Sequence, residues 1–316
     1  MLCCKTPFAN RGPTLLNAGP ALKACFIFNP ASGSNRRSPR LRDRAREFIA
    51  ENDWDASVVS TTHPRHATDL ARRAVAEGCT LVVAIGGDGT MNEVATALVD
   101  SPAVFGLIPC GSGNGLGRHL GIPGAGRGAF RTLLDGHPLA IDTGVINTDP
   151  FFCAAGVGFE ALIASHFSKL TNRGFSGYLR TGARAWHNYR PEVYRIHHNG
   201  STVNIEAFTL AFANSAQYGN NAFIAPGASV RDGLIDMTAI PRVNFLNAVP
   251  LLWRLFHGSL DRVPSVTRLR GGPFVIERAK PGWVHTDGEP RAEASRLEVA
   301  VKPKSLRIMV PSGRAV

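Results

Sequence analysis

Residues 81–94 read LVVAIGGDGTMNEV. Four apolar residues and Ile85 run into Gly86-Gly87-Asp88-Gly89-Thr90, and a polar helical pattern follows. An apolar run without alternation predicts a strand buried on both faces, as in parallel sheets covered by helices. Glycines at the carboxyl end of such a strand are expected to take positive φ and to bring backbone N–H groups close to a ligand. The N-terminus of the following helix favours phosphate. Asp88 would repel that phosphate unless it holds a divalent cation, directly or through water, or takes a proton from an attacking hydroxyl.

Similar units lie on either side of this stretch. ACFIF (24–28), ASVVS (56–60) and VFGLIP (104–109) are three further strand candidates. Between them, SPRLRDRAREFIAEN predicts a helix with Ser38 as N-cap and Pro39 at its first position, and HATDLARRAVAEG one closed by Gly78. Alternation of this kind predicts a doubly wound α/β domain with a parallel sheet. After about residue 145 helical patterns persist at roughly 160–188 and in NFLNAVPLLWRLFHGSL (244–260). The remainder reads as a meander: EVYRIHHNGSTVNIEAFTLAFAN with an Asn199-Gly200 hairpin turn, then LIDMTAI, PFVIER, RLEVAV and LRIMV. The expected organisation is a flexible extension over 1–22, an α/β domain over 23–145, and a mostly antiparallel, β-sandwich-like domain over 146–316. The last strand is allowed to return to the first domain.

The chain has 316 residues and a formal net charge of +11, which suits negative substrates, anionic membrane surfaces or nucleic acid. A nucleic-acid partner is not expected, because there is no recognition motif and no interleaving of basic and aromatic residues. The six cysteines have no metal-like spacing, which suggests a reduced compartment. No apolar run reaches the roughly 20 residues that span a bilayer, and the first 22 residues lack the apolar centre of a signal peptide.

Two more loops fall at the same sheet edge as GGDGT: NPASG (29–33) after the first strand and PCGSGNGLG (109–117) after the fourth. Ligands of open parallel sheets sit outside the carboxyl ends of the strands, so three such loops predict a phosphate cradle. The chain has no Gly-x-x-x-x-Gly-Lys-Ser/Thr, which excludes a P-loop.

In order and spacing, NPASG, GGDGTMNEV and PCGSGN resemble the diacylglycerol kinase catalytic domain family, which includes bacterial lipid kinases and sphingosine kinases. AAGVGFEA (154–161), IAPGASVRDGLIDM (224–237) and HTDGEP (285–290) resemble its second-domain segments. The resemblance covers the chain from about residue 24 and implies a nucleotide-binding first domain and a lipid-binding second one. It implies an ATP- and Mg2+-dependent lipid kinase. Asn29, Pro30, Ala31, Ser32, Gly33, Thr62, Gly86 to Glu93 (with Gly87, Asp88, Gly89, Thr90, Met91 and Asn92), Gly111, Ser112 and Asn114 would line the nucleotide. Glu289 or Asp88 would accept the proton, and Asp142 would be linked to that base through a metal–water network. Ser229, Asp232 and Leu234 would hold a structural magnesium, with backbone oxygens at the first and last. At Gly115 the chain departs from bacterial diacylglycerol kinases, which usually place Asp there, and resembles the sphingosine kinase version. The implied partners are a lipid substrate and, transiently, an anionic membrane surface, with a homodimer left open. The implied location is cytoplasmic, peripheral at the inner membrane face. An NAD kinase-like enzyme and a non-catalytic nucleotide- or lipid-binding regulator are the alternatives.

Other patterns receive plainer readings. GVGFEA (156–161) fits Gly-x-Gly-x-x-Ala mid-chain, where close strand–helix packing is the better explanation. Six arginines in RRSPRLRDRAR (36–46) form a solvated helix face or a foothold on anionic lipid. NFLNAVPLLWRLFHGSL packs in the core or meets a membrane.

Overall fold

The computed structural model describes residues 22–36, 40–168, 186 and 189–313. Ser38 and Pro39, the residues before 22 and most of the 169–188 stretch lie outside the described residues. The N-terminal unit alternates as expected: β1 (Lys23–Phe28), α1 (Arg40–Glu51), β2 (Asp55–Ser60), α2 (His66–Ala76), β3 (Leu81–Gly86), α3 (Asp88–Leu98), β4 (Val104–Pro109), then α4 (Gly115–His119) and α5 (Arg127–Asp135). The four strands pair in parallel in the order β2-β1-β3-β4. Every residue of β3 and β4 is buried, which is why both read as continuous apolar runs. Side chains alternate across the sheet. Ile27, Val82 and Ala84 meet α2 and α3 on one face, and Phe26, Phe28 and Val83 meet α1 and α5 on the other.

The chain then makes β5 (His137–Ile146), β6 (Asp149–Phe151), β7 (Ala154–Gly158), α6 (Phe159–Ser168), β8 (Glu192–His198), β9 (Ser201–Ala207), β10 (Thr209–Ala213) and β11 (Ile235–Ile240). It ends with α7 (Phe245–Phe256), β12 (Thr267–Gly271), β13 (Phe274–Arg278), β14 (Gly282–Thr286), β15 (Glu289–Glu293) and β16 (Arg296–Val310). Asn199 and Gly200 both have positive φ, 49° and 73°, as a two-residue hairpin turn requires between β8 and β9. An all-antiparallel sheet, β12-β11-β10-β7-β14-β15, faces the antiparallel part of the other sheet. Phe151, Tyr194, Phe212, Met237, Phe274, Val284 and Leu297 fill the space between them. The fold is an α/β parallel-sheet domain followed by an antiparallel β-sandwich.

RLEVAV and LRIMV, expected as two strands, form the single strand β16. Its first half pairs with β13, while Ile308 aligns in parallel with Phe105 of β4. The register slips between Lys302 and Leu306, where Lys304 turns to φ 52°. That irregularity resembles a turn in the sequence, but β5 pairs with the strand on both sides of it.

Candidate active site

The three loops expected at the sheet edge touch one another. Gly87 N–H donates to Ser32 Oγ at 2.8 Å. Asn29 donates from Nδ2 to Thr90 Oγ1 at 2.8 Å, and its own Oδ1 accepts from Ala31 N at 2.9 Å. A Cβ on Gly33 would stand 1.9 Å from Cys110 O, and one on Gly87 3.2 Å from Gly111 Cα. Gly33 alone in these contacts needs positive φ, 43°. Gly86, Gly87 and Gly89 do not, which corrects the expectation from the sequence. Crowding explains Gly86 and Gly87 instead: a Cβ on Gly86 would sit 2.4 Å from Thr90 Cβ, whereas one on Gly89 would only reach ordinary contact, 3.4 Å from Glu289 Oε1.

Asp88 opens α3 and points at the third loop. Its Oδ2 accepts from Asn114 N at 2.8 Å and its Oδ1 from Gly115 N at 2.7 Å. Burial pushes its carboxyl up, against the pull of those two N–H groups. Each Asp88 oxygen thus holds one loop N–H and keeps a second lone pair for a cation or a water. Its visible task is to fasten the third loop onto the second. Asn114 lies at φ 51° with its Oδ1 accepting from Gly111 N at 2.9 Å, which folds the loop back on itself. At Gly115 a Cβ would meet Tyr218 O at 2.6 Å and Cys153 Sγ at 2.8 Å, so this chain has no room for the aspartate of bacterial relatives.

The second domain enters over the first turn of α3. Glu289, exposed at the start of β15, has Oε1 beside Gly89. The β14–β15 turn that presents it is held by Asp287, a residue the sequence reading passed over. Its Oδ1 accepts from Cys153 N (2.7 Å) and Ala154 N (3.1 Å), and its Oδ2 from Phe152 N (2.9 Å) and Asn92 Nδ2 (2.7 Å). Burial pushes this carboxyl up as well. The Cys153 thiol, raised first by burial and then by the carboxylates of Asp287 and Asp88, lies within the field of both. Behind the turn, His285 Nδ1 accepts from Gly288 N at 3.3 Å, and its Nε2 faces Glu160 Oε1 at 3.6 Å. The Tyr218 hydroxyl donates to Glu160 Oε2. A Cβ on Gly156 would strike Glu160 Oε1, so the GVGFEA glycine makes room for this carboxylate rather than for a dinucleotide. The signal available in the sequence was the DG pair of HTDGEP: Asp287 has φ 50° and Gly288 φ 88°.

Several expected site residues take other tasks. Asp142 is buried, and its side-chain oxygens accept from Gly233 N and Lys304 N, each at 2.7 Å, so it fastens two loops. Glu93 accepts from Arg65 N (3.1 Å) and Ala67 N (3.0 Å) and caps α2, which has no side-chain cap of its own. The Thr62 amide and hydroxyl both meet His66 Nδ1 at 3.1 Å. Ser112 is exposed at the tip of the third loop, and Met91 is buried in the core under α3.

Ser229, Asp232 and Leu234 share the loop before β11, and the one carboxylate of the expected magnesium set is paired with an arginine. Asp232 Oδ1 accepts from Leu234 N at 3.0 Å, and Oδ2 is bonded to the Arg270 guanidinium of β12. Arg270 Nε also lies 3.5 Å from Asp236 Oδ2. The positive charge that a cation would bring to this carboxylate is already supplied by Arg270. Among the described residues no group of three or more His, Cys, Asp or Glu is placed to hold a metal.

The family model of the diacylglycerol kinase catalytic domain matches residues 23–146, and that of the YegS C-terminal NAD kinase beta sandwich-like domain matches 153–310. A Pseudomonas fluorescens protein named "Probable lipid kinase YegS-like" is 31% identical over 82% of this chain and 86% of its own. The diacylglycerol kinase of Bacillus subtilis is 30% identical, over 84% and 89%. The crystal structure of a diacylglycerol kinase from Bacillus anthracis aligns with TM-score 0.70 at 16% identity, over 93% of this chain and 98% of that one, a likeness of fold. With both domain models matched in sequence and relatives of this identity and coverage, the chain belongs to the diacylglycerol kinase catalytic domain family.

Proposed function

We propose that this protein transfers the γ-phosphoryl group of ATP to a hydroxyl of a lipid acceptor, diacylglycerol- or sphingosine-like. The observation that carries the reading is Glu289 standing over Gly89 at the mouth of the three-loop cluster. Phosphoryl transfer needs mainly positioning and charge neutralisation. The cradle suits the first requirement: Asn29, Ser32, Gly87, Gly111 and Asn114 fix three loops against one another before any ligand arrives. The positive end of α3 faces the same space. Magnesium carried on the triphosphate supplies charge neutralisation. Glu289 is the better proton acceptor because both Asp88 oxygens are engaged with backbone. The acceptor oxygen bonds to the γ-phosphorus, the bond from that phosphorus to the β,γ-bridging oxygen breaks, and the hydroxyl proton passes to Glu289.

Radiolabelled ATP with a panel of diacylglycerol, monoacylglycerol, sphingosine, ceramide and phosphatidylglycerol, resolved by thin-layer chromatography, tests this reading. NAD belongs in the same panel, because the second-domain model carries the NAD kinase sandwich in its description. Label on a lipid, reduced roughly 10²–10⁴-fold in Glu289→Gln, is expected. Label on NAD alone, or full activity in the variant, defeats the proposal.

A further inference from the structure

Helix α7 carries apolar side chains on two sides. Leu251 and Leu255 pack inward onto Ala154, Ala211, Ile224 and Leu260, and Ala248 is buried with them. On the opposite side Val249, Leu252 and Trp253 are 60%, 46% and 57% exposed. They make up three of the six large apolar residues exposed among the described residues, within five positions at i, i+3 and i+4 spacing. Trp253 does not hang free. Its ring stacks on His257 at 4.1 Å, and its carbonyl meets His257 Nδ1 at 2.8 Å.

Along the helix itself the charge has one sign, and the first carboxylate after it is Asp261. From Arg242 to Leu260 the sequence contains no Asp or Glu, while it contains Arg242, Arg254 and His257. An apolar ridge with an anchored tryptophan and basic flanks matches the boundary between headgroups and acyl chains of an anionic bilayer. The inner side of the same helix is also linked to the candidate site. Leu255 O accepts from Phe223 N at 2.8 Å, and Phe223 lines a cavity of about 530 Å3 together with Arg118, His119, Gln217 and Asn221. Arg118 in turn donates from Nε to Gly113 O, in the third loop, at 2.9 Å.

We propose that the Val249–Leu252–Trp253 ridge of α7 docks the protein onto a bilayer carrying anionic lipid, with the neighbouring cavity facing that surface beside the phosphate cradle. Its purpose rests on the lipid-kinase reading, but its test does not. Sedimentation with phosphatidylcholine vesicles, with and without phosphatidylglycerol, is measured in the absence of nucleotide. Binding to the anionic vesicles is expected, with a roughly tenfold or greater loss in Leu252→Ser/Trp253→Ser and a smaller, salt-sensitive loss in Arg254→Gln. Trp253→Phe should keep binding while losing the quenching of its emission by brominated lipid. Unchanged binding by the double variant, with its melting temperature preserved, overturns the proposal, as does absence of wild-type binding. A wild-type dimer abolished by the same substitutions overturns it too, by giving the ridge to a second copy. Turnover of a short-chain acceptor in detergent micelles separates the two readings. The double variant should retain it, and wild type without it but bound to vesicles sinks the kinase reading alone.

Discussion

Two half-buried carboxylates organise the candidate site, and they do so through backbone N–H groups. Asp88 gathers the N–H groups of Asn114 and Gly115, and Asp287 those of Phe152, Cys153 and Ala154. The asparagine variants keep the size but lose an acceptor, leaving buried donors unpaired at about 1–3 kcal/mol each. Asp287 also titrates in a defined direction. Its folded carboxyl is raised above the ordinary 3.8 by burial, so its contribution to stability is fully present below that value and is lost as pH rises through the folded value. The melting-temperature advantage of wild type over Asp287→Asn should therefore widen as pH falls from neutral toward about 4. An advantage that shrinks on acidification contradicts this account of the turn.

At the scale of elements, the loop before β11 is the place where the chain departs from the arrangement its sequence implied. Asp232 and Asp236 converge on two strand-borne guanidiniums: Arg270, which contacts both, and Arg268, at 3.1 Å from Asp236. Burial raises Asp236, and the two arginines oppose that rise. Wild-type melting without nucleotide should be the same in magnesium and in chelator. Arg270→Leu should lose about 1–3 kcal/mol, less than a fully buried pair because Arg270 is half-exposed, and should regain part of it with magnesium. A wild-type melting temperature that drops in chelator would return the site to a metal. The ion-pair reading was out of reach in the sequence, because Asp232 and Arg270 are 38 positions apart and meet only through the β11–β12 register, which sets Asp236 opposite Arg270.

At the scale of the molecule, β16 joins the two domains. Leu297 and Val299 belong to the sandwich core, whereas Leu306, Ile308 and Val310 belong to the core beneath α2 and α3. Asp287 adds a second tie, reaching Asn92 of α3 from the β14–β15 turn. The cores share one strand, so scanning calorimetry should record one cooperative transition. Two separated transitions would mean that the shared strand couples them weakly. No helix among the described residues is long and apolar enough to cross a membrane.

The sequence by itself determined what depends on neighbours in the chain. Continuous apolar runs specified the parallel strands, Asn199-Gly200 specified a hairpin, and glycine-rich segments after three strands specified where the loops gather. Strand period and turn chemistry are local, so they can be read without coordinates. Only tertiary structure decided which side chain each loop residue meets: that Asp88 binds backbone, that Glu93 caps a different helix, that Asp142 fastens two loops, and that Arg270 pairs with the carboxylate expected to meet a cation. Those outcomes depend on contacts across 26 to 162 positions of sequence, set by sheet order and register. A carboxylate carries the same charge wherever it stands. Its partner is chosen by the fold.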